Sequence, residues 1–284
     1  MRLEEALRQG VCLLQEASVP SPQIAAEVLL MHALGCDRAY LYAHPERELT
    51  DSERVHYGAC LKERMGGKPT QYITGRQEFW GLELRVTPAV LIPRPETEHV
   101  VECALELARS LNRAEPPLIV DVGTGSGCIA IALAHELPRA RLIATDVSAA
   151  ALAVAAENVR RRGARTVWLC RCHLLSPLAT GCADIVVSNP PYVPKFLQAG
   201  LPREVFDHEP HEALFAGPEG IEVYAALAPE AARALRPGGW LVLELGYNMA
   251  DRVRSLFLPG WSEVEVRSDL AGIPRVLSAR RSDS

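Results

Sequence analysis

The stretch LIVDVGTGSG, residues 118–127, decides how the rest of the chain is read. Leu118 to Val122 form a short, nearly continuous apolar run, which is what a strand buried on both faces of a parallel sheet requires. Three glycines follow at 123, 125 and 127, where the absence of Cβ atoms lets backbone approach a ligand, and Ile129 to Leu137 then reads as a helix. The same order recurs downstream. Strands fit 141–145, 166–170, 184–188 and 240–245, helices fit 148–161, 219–235 and 248–257, and a pair of strands at 264–267 and 275–279 closes the chain. A helix over 96–111 precedes the first strand. This alternation predicts an α/β fold with a mainly parallel, doubly wound sheet and ligands at the carboxyl ends of its strands.

Upstream the texture differs. The first 65 or so residues carry only helical periodicity: Leu3, Ala6, Leu7, Val11, Leu13 and Leu14 share one face, and Ser21-Pro22 offers an N-cap and a first-turn proline for the helix containing Ile24 to Leu30. Thr50 with Glu53 reads as a capping box, and Gly66-Gly67 ends that helix. From Gln71 to Pro95, aromatic and β-branched residues are broken by Gly75, Gly81, Pro88, Pro93 and Pro95, which predicts a hairpin. The expected organisation is a helical domain over 1–70, a β-hairpin connector over 71–95 and an α/β domain over 96–284.

Composition narrows the class. A chain of 284 residues with 48% hydrophobic content builds real cores, and 30 Lys plus Arg against 35 Asp plus Glu gives a net charge of -5. Residues 1–75 carry a net of -2 and the remainder -3, so neither part shows the basic excess expected of a generic duplex binder. No apolar run approaches the roughly 18 residues of a membrane span. The charged, amphipathic start MRLEEALRQG is unlike a secretory signal, and a soluble cytoplasmic protein is expected. Eight cysteines without a CxxC pair read as small buried hydrophobes and not as a zinc site or a disulfide framework; no metal is expected.

The glycine turn, Gly123-Thr124-Gly125-Ser126-Gly127, suits a nucleotide-like ligand. A dinucleotide fingerprint needs its third glycine at 128, which is Cys128, so the spacing disfavours NAD and favours S-adenosylmethionine, which has no pyrophosphate. Asp146 ends the next strand about twenty residues later, where a carboxylate accepts hydrogen bonds from both ribose hydroxyls. A structural turn whose Asp caps the helix beginning near Ser148 is the competing reading.

Asn189-Pro190-Pro191-Tyr192 follows the strand 184–188 on the same rim. Two successive prolines remove two backbone donors and stiffen the loop, so it presents acceptors. A planar NH2 group needs acceptors: the Asn189 side-chain oxygen and the Pro190 carbonyl take one N–H each, and Tyr192 packs on the planar group. Amide nitrogen is a poor nucleophile, so positioning carries the catalysis, and orientation alone supplies up to roughly 7 to 11 kcal/mol. The competing reading is an ordinary rigid turn.

The order IPRPETE (92–98), DVGTGSG (121–127), Asp146, NPPY (189–192), EPHEALFAGPEG (209–220) and RPGGWLVLELG (236–246) resembles the HemK/PrmC family of peptide-chain release factor glutamine N5-methyltransferases over nearly the whole chain. NPPY alone is shared with DNA adenine and some RNA guanine amino-methyltransferases. The helical N-terminus, the hairpin and PRPETE narrow the match. The resemblance implies a Rossmann-like class I methyltransferase domain, with S-adenosylmethionine along Gly123 to Gly127 and Asp146, and the substrate glutamine on Asn189 to Tyr192. It also implies a class-I release factor as partner, methylated at the glutamine of its Gly-Gly-Gln loop; because a glutamine side chain is too small to distinguish one protein from another, the helical domain over 1–70 is expected to recognise that partner. One departure stands out: the family usually has an Asp near the adenine amino group where this chain has Cys172-His173-Leu174, leaving His173 and Leu174 as the expected adenine neighbours.

Weaker signals have plain readings. Arg94, Glu96 and Glu98 open a helix whose N-terminus the two carboxylates complement, Arg160 to Arg162 complement a helix C-terminus, and His208 and His211 flank a substrate-side loop without a third metal ligand. The rival functions are a nucleic-acid amino-methyltransferase, which would need a flipped base, and a cofactor-binding interaction protein without turnover.

Overall fold

The computed structural model describes residues 1–111, 114–257 and 259–282, which group into two compact units: Met1–Arg76 with Pro202–His208, and Gln77–Leu201 with Glu209–Ser284. The first unit is helical: α1 (Leu3–Glu16), α2 (Pro22–Leu34), α3 (Arg38–Ala43), α4 (Asp51–Met65) and α5 (Thr70–Thr74). Leu3, Ala6, Leu14, Leu29, Leu30 and Leu61 are among its buried side chains. The α1 backbone lies tight against α4, because a Cβ at Gly10 would fall 1.9 Å from Tyr57 Oη. Thr50 and Glu53 form the capping box of α4, each side chain bonded to the other's backbone N–H. Ser21 does not cap α2 as its sequence suggests: its φ is +49° and its side chain makes no cap bond, leaving Pro22 to start the helix. Residues 202–208, which include α9 (Arg203–Phe206), belong here by their packing, and Glu204 Oε2 accepts from the buried Arg64 Nη2 at 2.5 Å.

A hairpin of β1 (Arg76–Phe79) and β2 (Leu82–Arg85) follows. It is shorter than the 71–95 stretch its composition suggested: Tyr72 and Ile73 are in α5, and residues 86–94 have no regular structure. Pro88 and Pro93 explain the latter, since each removes a ladder donor.

The α/β unit continues through α6 (Glu98–Ser110), β3 (Leu118–Val122), α7 (Cys128–Glu136), β4 (Arg141–Asp146), α8 (Ala149–Arg162), β5 (Val167–Arg171) and β6 (Ala183–Ser188). After the short pair β7 (Val193–Pro194) and β8 (Phe215–Gly217), with α10 (His211–Leu214) just before β8, come α11 (Glu222–Ala234), β9 (Leu235–Glu244), α12 (Ala250–Arg254), β10 (Trp261–Ser268) and β11 (Pro274–Arg281). Seven strands lie in the order β10-β11-β9-β6-β3-β4-β5, and β11 runs antiparallel to both of its neighbours while the other pairings are parallel. Alternate residues of a strand face opposite sides, so Ile119 of β3 packs with α6 and α7 while Val120 and Val122 pack with α11. Strand order reverses between β3 and β6, and a crevice opens there at the strands' carboxyl ends. β9 begins earlier than its apolar run, because Arg236 to Gly239 bulge beside Ala183 to Ile185. Glycine fits there, since a Cβ at Gly239 would lie 3.0 Å from Asp184 O.

The cysteines are less buried than their sequence context suggested. Cys60 and Cys103 are buried, Cys12 is exposed and the rest are intermediate. Among the described residues no helix is long and apolar enough to cross a membrane.

Candidate active site

A cavity of about 260 Å³ sits at that crevice within the α/β unit. Its wall includes Gly123, Thr124, Gly125 and Ser126 from the turn after β3, Asp146 from the end of β4, His173 and Leu174 after β5, and Asn189, Pro190 and Pro191 after β6. Thus the structure brings together nearly every site residue predicted from the sequence. Gly127 and Tyr192 are off the wall. Gly127 starts α7 with a φ of +84°, and a Cβ there would lie 3.2 Å from Ile131 Cδ1, so its role is helix packing. Tyr192 is half-buried beneath the loop, with its hydroxyl turned to Glu244.

The turn is held open by its own residues. Gly123 and Gly125 have φ of +70° and +54°, and a Cβ on either would meet no atom within 4 Å, so the space that side chains would fill belongs to the cavity. Thr124 N donates to Thr145 O at 2.9 Å, and Thr124 Oγ1 donates to Asp121 Oδ2 at 2.6 Å. Asp121 is fully buried, and desolvation pushes its carboxyl up to about 7 against the pull of the Thr124 hydroxyl and the Ala130 N–H. Asp146 Oδ2 accepts from Gly125 N and Oδ1 from Ser148 N, both at 2.9 Å. Asp146 therefore anchors the glycine turn but does not cap the following helix as the competing reading has it, and because a carboxylate has about four lone-pair sites, two remain for a ligand. Ser148 caps α8, accepting from Ala151 N.

Four residues that sequence patterning left without a defined role complete the site. Thr97 lines the cavity and its Oγ1 accepts from Asn189 Nδ2 at 3.0 Å. That same hydroxyl donates to Glu244 Oε2 at 2.5 Å, while Tyr192 Oη donates to Glu244 Oε1 at 3.2 Å. Burial lifts the Glu244 carboxyl to about 7, opposed by the bonds from Thr97 and Tyr192. Arg94, also on the wall, pairs with the buried Glu209, which additionally accepts from Ile92 N at 3.4 Å; this fixes the irregular segment 92–94 against the cavity. The signal for Glu244 and Glu209 was a carboxylate in apolar or proline-bounded surroundings, LVLELG and HEPH, where an unpaired charge is costly. His211 begins α10 and is not on this wall, and His208 groups with the helical unit.

Residues 5–75 match the PrmC N-terminal domain, and residues 102–201 match the methyltransferase small domain. A release factor glutamine methyltransferase of Koribacter versatilis (strain Ellin345) is 46% identical over 285 residues, covering 100% of both chains. One of Moorella thermoacetica is 44% identical, again over 100% of both. Among solved structures, the hMettl16 catalytic domain in complex with MAT2A 3'UTR hairpin 1 superposes with a TM-score of 0.57 at 18% identity, over 86% of this chain and 85% of its own. The ribosomal protein L11 methylase of Lactobacillus delbrueckii subsp. bulgaricus gives 0.50 at 20%, over 70% and 85%. These two share the fold.

Proposed function

Because this chain belongs to the release factor glutamine methyltransferases, we propose that the cavity after β3, β4 and β6 is where it methylates its protein substrate. The reaction is transfer of a methyl group from S-adenosylmethionine to the side-chain amide nitrogen of the glutamine in the Gly-Gly-Gln loop of a class-I release factor. S-Adenosylmethionine supplies a methyl carbon already activated by a sulfonium, so the protein needs no metal and no ionised nucleophile of its own.

The observation that carries the site assignment is the direction of the Asn189 amide. The hydrogen of the Thr97 hydroxyl is committed to Glu244, so its oxygen accepts, and Asn189 turns Nδ2 towards it. Oδ1 is then the end available on the cavity wall. Together with the Pro190 carbonyl it accepts the two N–H groups of a carboxamide, which leaves the faces of the planar nitrogen exposed and fixes its approach. Asp146 holds the ribose hydroxyls of the cofactor with its remaining lone pairs, and the open faces of Gly123 and Gly125 give the cofactor room. His173 and Leu174 border the adenine side, without the carboxylate that the family usually places there. Arg94, Asp146 and Glu212 are the acidic or basic side chains of the wall besides His173, and Arg94 is already paired with Glu209.

The helical unit serves recognition of the protein substrate. A glutamine side chain is too small to distinguish one protein from another, so discrimination must come from surface outside the cavity. Exposed apolar side chains such as Ile24 and Val55 on that unit are suited to it. Labelled methyl transfer from S-adenosylmethionine to a purified release factor, to the same factor with its Gly-Gly-Gln glutamine replaced, and to duplex DNA and ribosomal RNA tests the function. Incorporation is expected only into the unaltered factor; labelling of nucleic acid in its place would overturn the assignment.

A further inference from the structure

Glu244 ends β9, is 3% exposed and does not line the cavity, yet it is bonded to two residues around the proposed substrate group. Its Oε2 accepts from Thr97 Oγ1 at 2.5 Å, Thr97 Oγ1 accepts from Asn189 Nδ2 at 3.0 Å, and its Oε1 accepts from Tyr192 Oη at 3.2 Å. We propose that Glu244, as a carboxylate, is the positioning residue of this site: through Thr97 it dictates which end of the Asn189 amide meets the substrate, and through its other oxygen it holds Tyr192. The proposal rests on the reading of Asn189 given above.

The argument follows from counting protons. A threonine hydroxyl has one hydrogen and two lone pairs. When Glu244 is ionised it only accepts, so the Thr97 hydrogen points to it and the Asn189 NH2 is drawn to the Thr97 oxygen. A proton on Oε2 reverses this. Glu244 then donates to Thr97, the Thr97 hydrogen turns towards Asn189, and the amide rotates to present NH2 where the substrate's own NH2 must dock. Two donors then face each other, and the site is misaligned although every residue is in place. The groups facing Glu244 hold this balance near neutrality. Burial and the Glu96 carboxylate oppose ionisation, while Thr97, Tyr192 and the Arg275 guanidinium of β11 favour it. The buried Tyr224 of α11 donates to the Glu244 backbone oxygen at 2.7 Å, and the Cys128 thiol of α7 also feels the Glu244 charge; burial raises both groups, so neither is ionised at neutral pH.

Glu244→Gln keeps the shape and the acceptor but adds a donor, so it removes the fixed direction. It should lower kcat for a Gly-Gly-Gln substrate on the order of 10- to 100-fold, as loss of an orienting partner does, with the cofactor Kd changed less than about threefold. The fall in wild-type kcat as pH drops through about 7 should be absent from this variant. Thr97→Val should act like Glu244→Gln, Thr97→Ser should restore the rate, and the double variant Thr97→Val, Glu244→Gln should be no slower than either alone. Melting in saturating cofactor selects variants that are folded, and Thr97→Val replaces Glu244→Gln in the test if the latter does not fold. Asn189→Ala is measured alongside. If it is inactive while folded Glu244→Gln and Thr97→Val keep the wild-type rate and pH profile, the positioning role is wrong. If Asn189→Ala is itself fully active, the reading of the tetrad fails and this proposal with it.

Discussion

Replacing Asp146 separates its two jobs. In the structure its carboxylate accepts from Gly125 N and Ser148 N, one bond per oxygen, and on the proposed reading its two remaining lone pairs take the ribose hydroxyls. A hydrogen bond to a charged group contributes about 1.5–3 kcal/mol. Counting one such bond as the lower bound for the coupled pair, Asp146→Ala should weaken S-adenosylmethionine binding roughly 10- to 150-fold. The two backbone N–H groups it releases are at a half-buried turn that water reaches, so the folding cost should be smaller, about 1 kcal/mol or a fall in Tm of roughly 2–4 °C. Asp146→Asn keeps one acceptor and loses the charge, and should fall between wild type and alanine. Titration calorimetry with S-adenosylmethionine, beside thermal melting without ligand, reads the two effects independently. A folded alanine variant with an unchanged Kd would refute the ribose assignment and leave Asp146 as an anchor of the glycine turn.

Other expectations follow from the same geometry. Asn189→Ala should lower kcat on the order of 100-fold with cofactor affinity within a few-fold, and Asn189→Asp should fail as well because it adds a charge beside a cationic cofactor; near-normal turnover of either would make the tetrad a structural turn. Gly246→Ala would set a Cβ 2.8 Å from Tyr192 Cδ2, so methylation should fall while calorimetry shows cofactor binding nearly unchanged. Asp121 titrates near 7 in the folded protein and near 3.8 when unfolded, so the folded state holds the extra proton between those values. Its contribution to stability is complete in acid and is lost as pH rises to 7, and denaturant unfolding at pH 5 and pH 8 should show a smaller decline for Asp121→Asn than for wild type. Ile24→Glu combined with Val55→Glu should raise KM for the full-length release factor by about tenfold or more and leave a Gly-Gly-Gln peptide unaffected; equal effects on both substrates would remove the helical unit from recognition.

What sequence reveals here is what is local. The glycine turn, Asp146 and the tetrad each stand at a strand end, and strand-turn-helix periodicity places all three on one rim before any coordinate is known. Thr97 and Glu244 are 147 residues apart, and Thr97 and Asn189 are 92 apart, so no periodicity links them. Thr97 is hidden among the carboxylates of PRPETE, which a helix N-terminus would attract in any case. Glu244 looks like the polar end of an apolar strand until Thr97 and Tyr192 are seen to converge on it. Ser21 misled for the opposite reason: its residue type is that of a cap, but its backbone is left-handed and its side chain forms no cap bond.

The grouping of residues 202–208 with the helical unit bears on how such a chain is inherited. Arg64 is 5% exposed, and its partner Glu204 is supplied by a segment that lies after the tetrad in sequence, not by the helices on either side of Arg64. A donor fragment that ended near residue 76 would carry the arginine without its counter-ion, and a buried cation left alone costs about 3–5 kcal/mol. The helices therefore exchange as a single cassette only into a recipient that supplies its own acidic residue at the position of Glu204. Into any other recipient a viable chimera needs a second crossover around 202–208, which ties the two stretches into one linkage group.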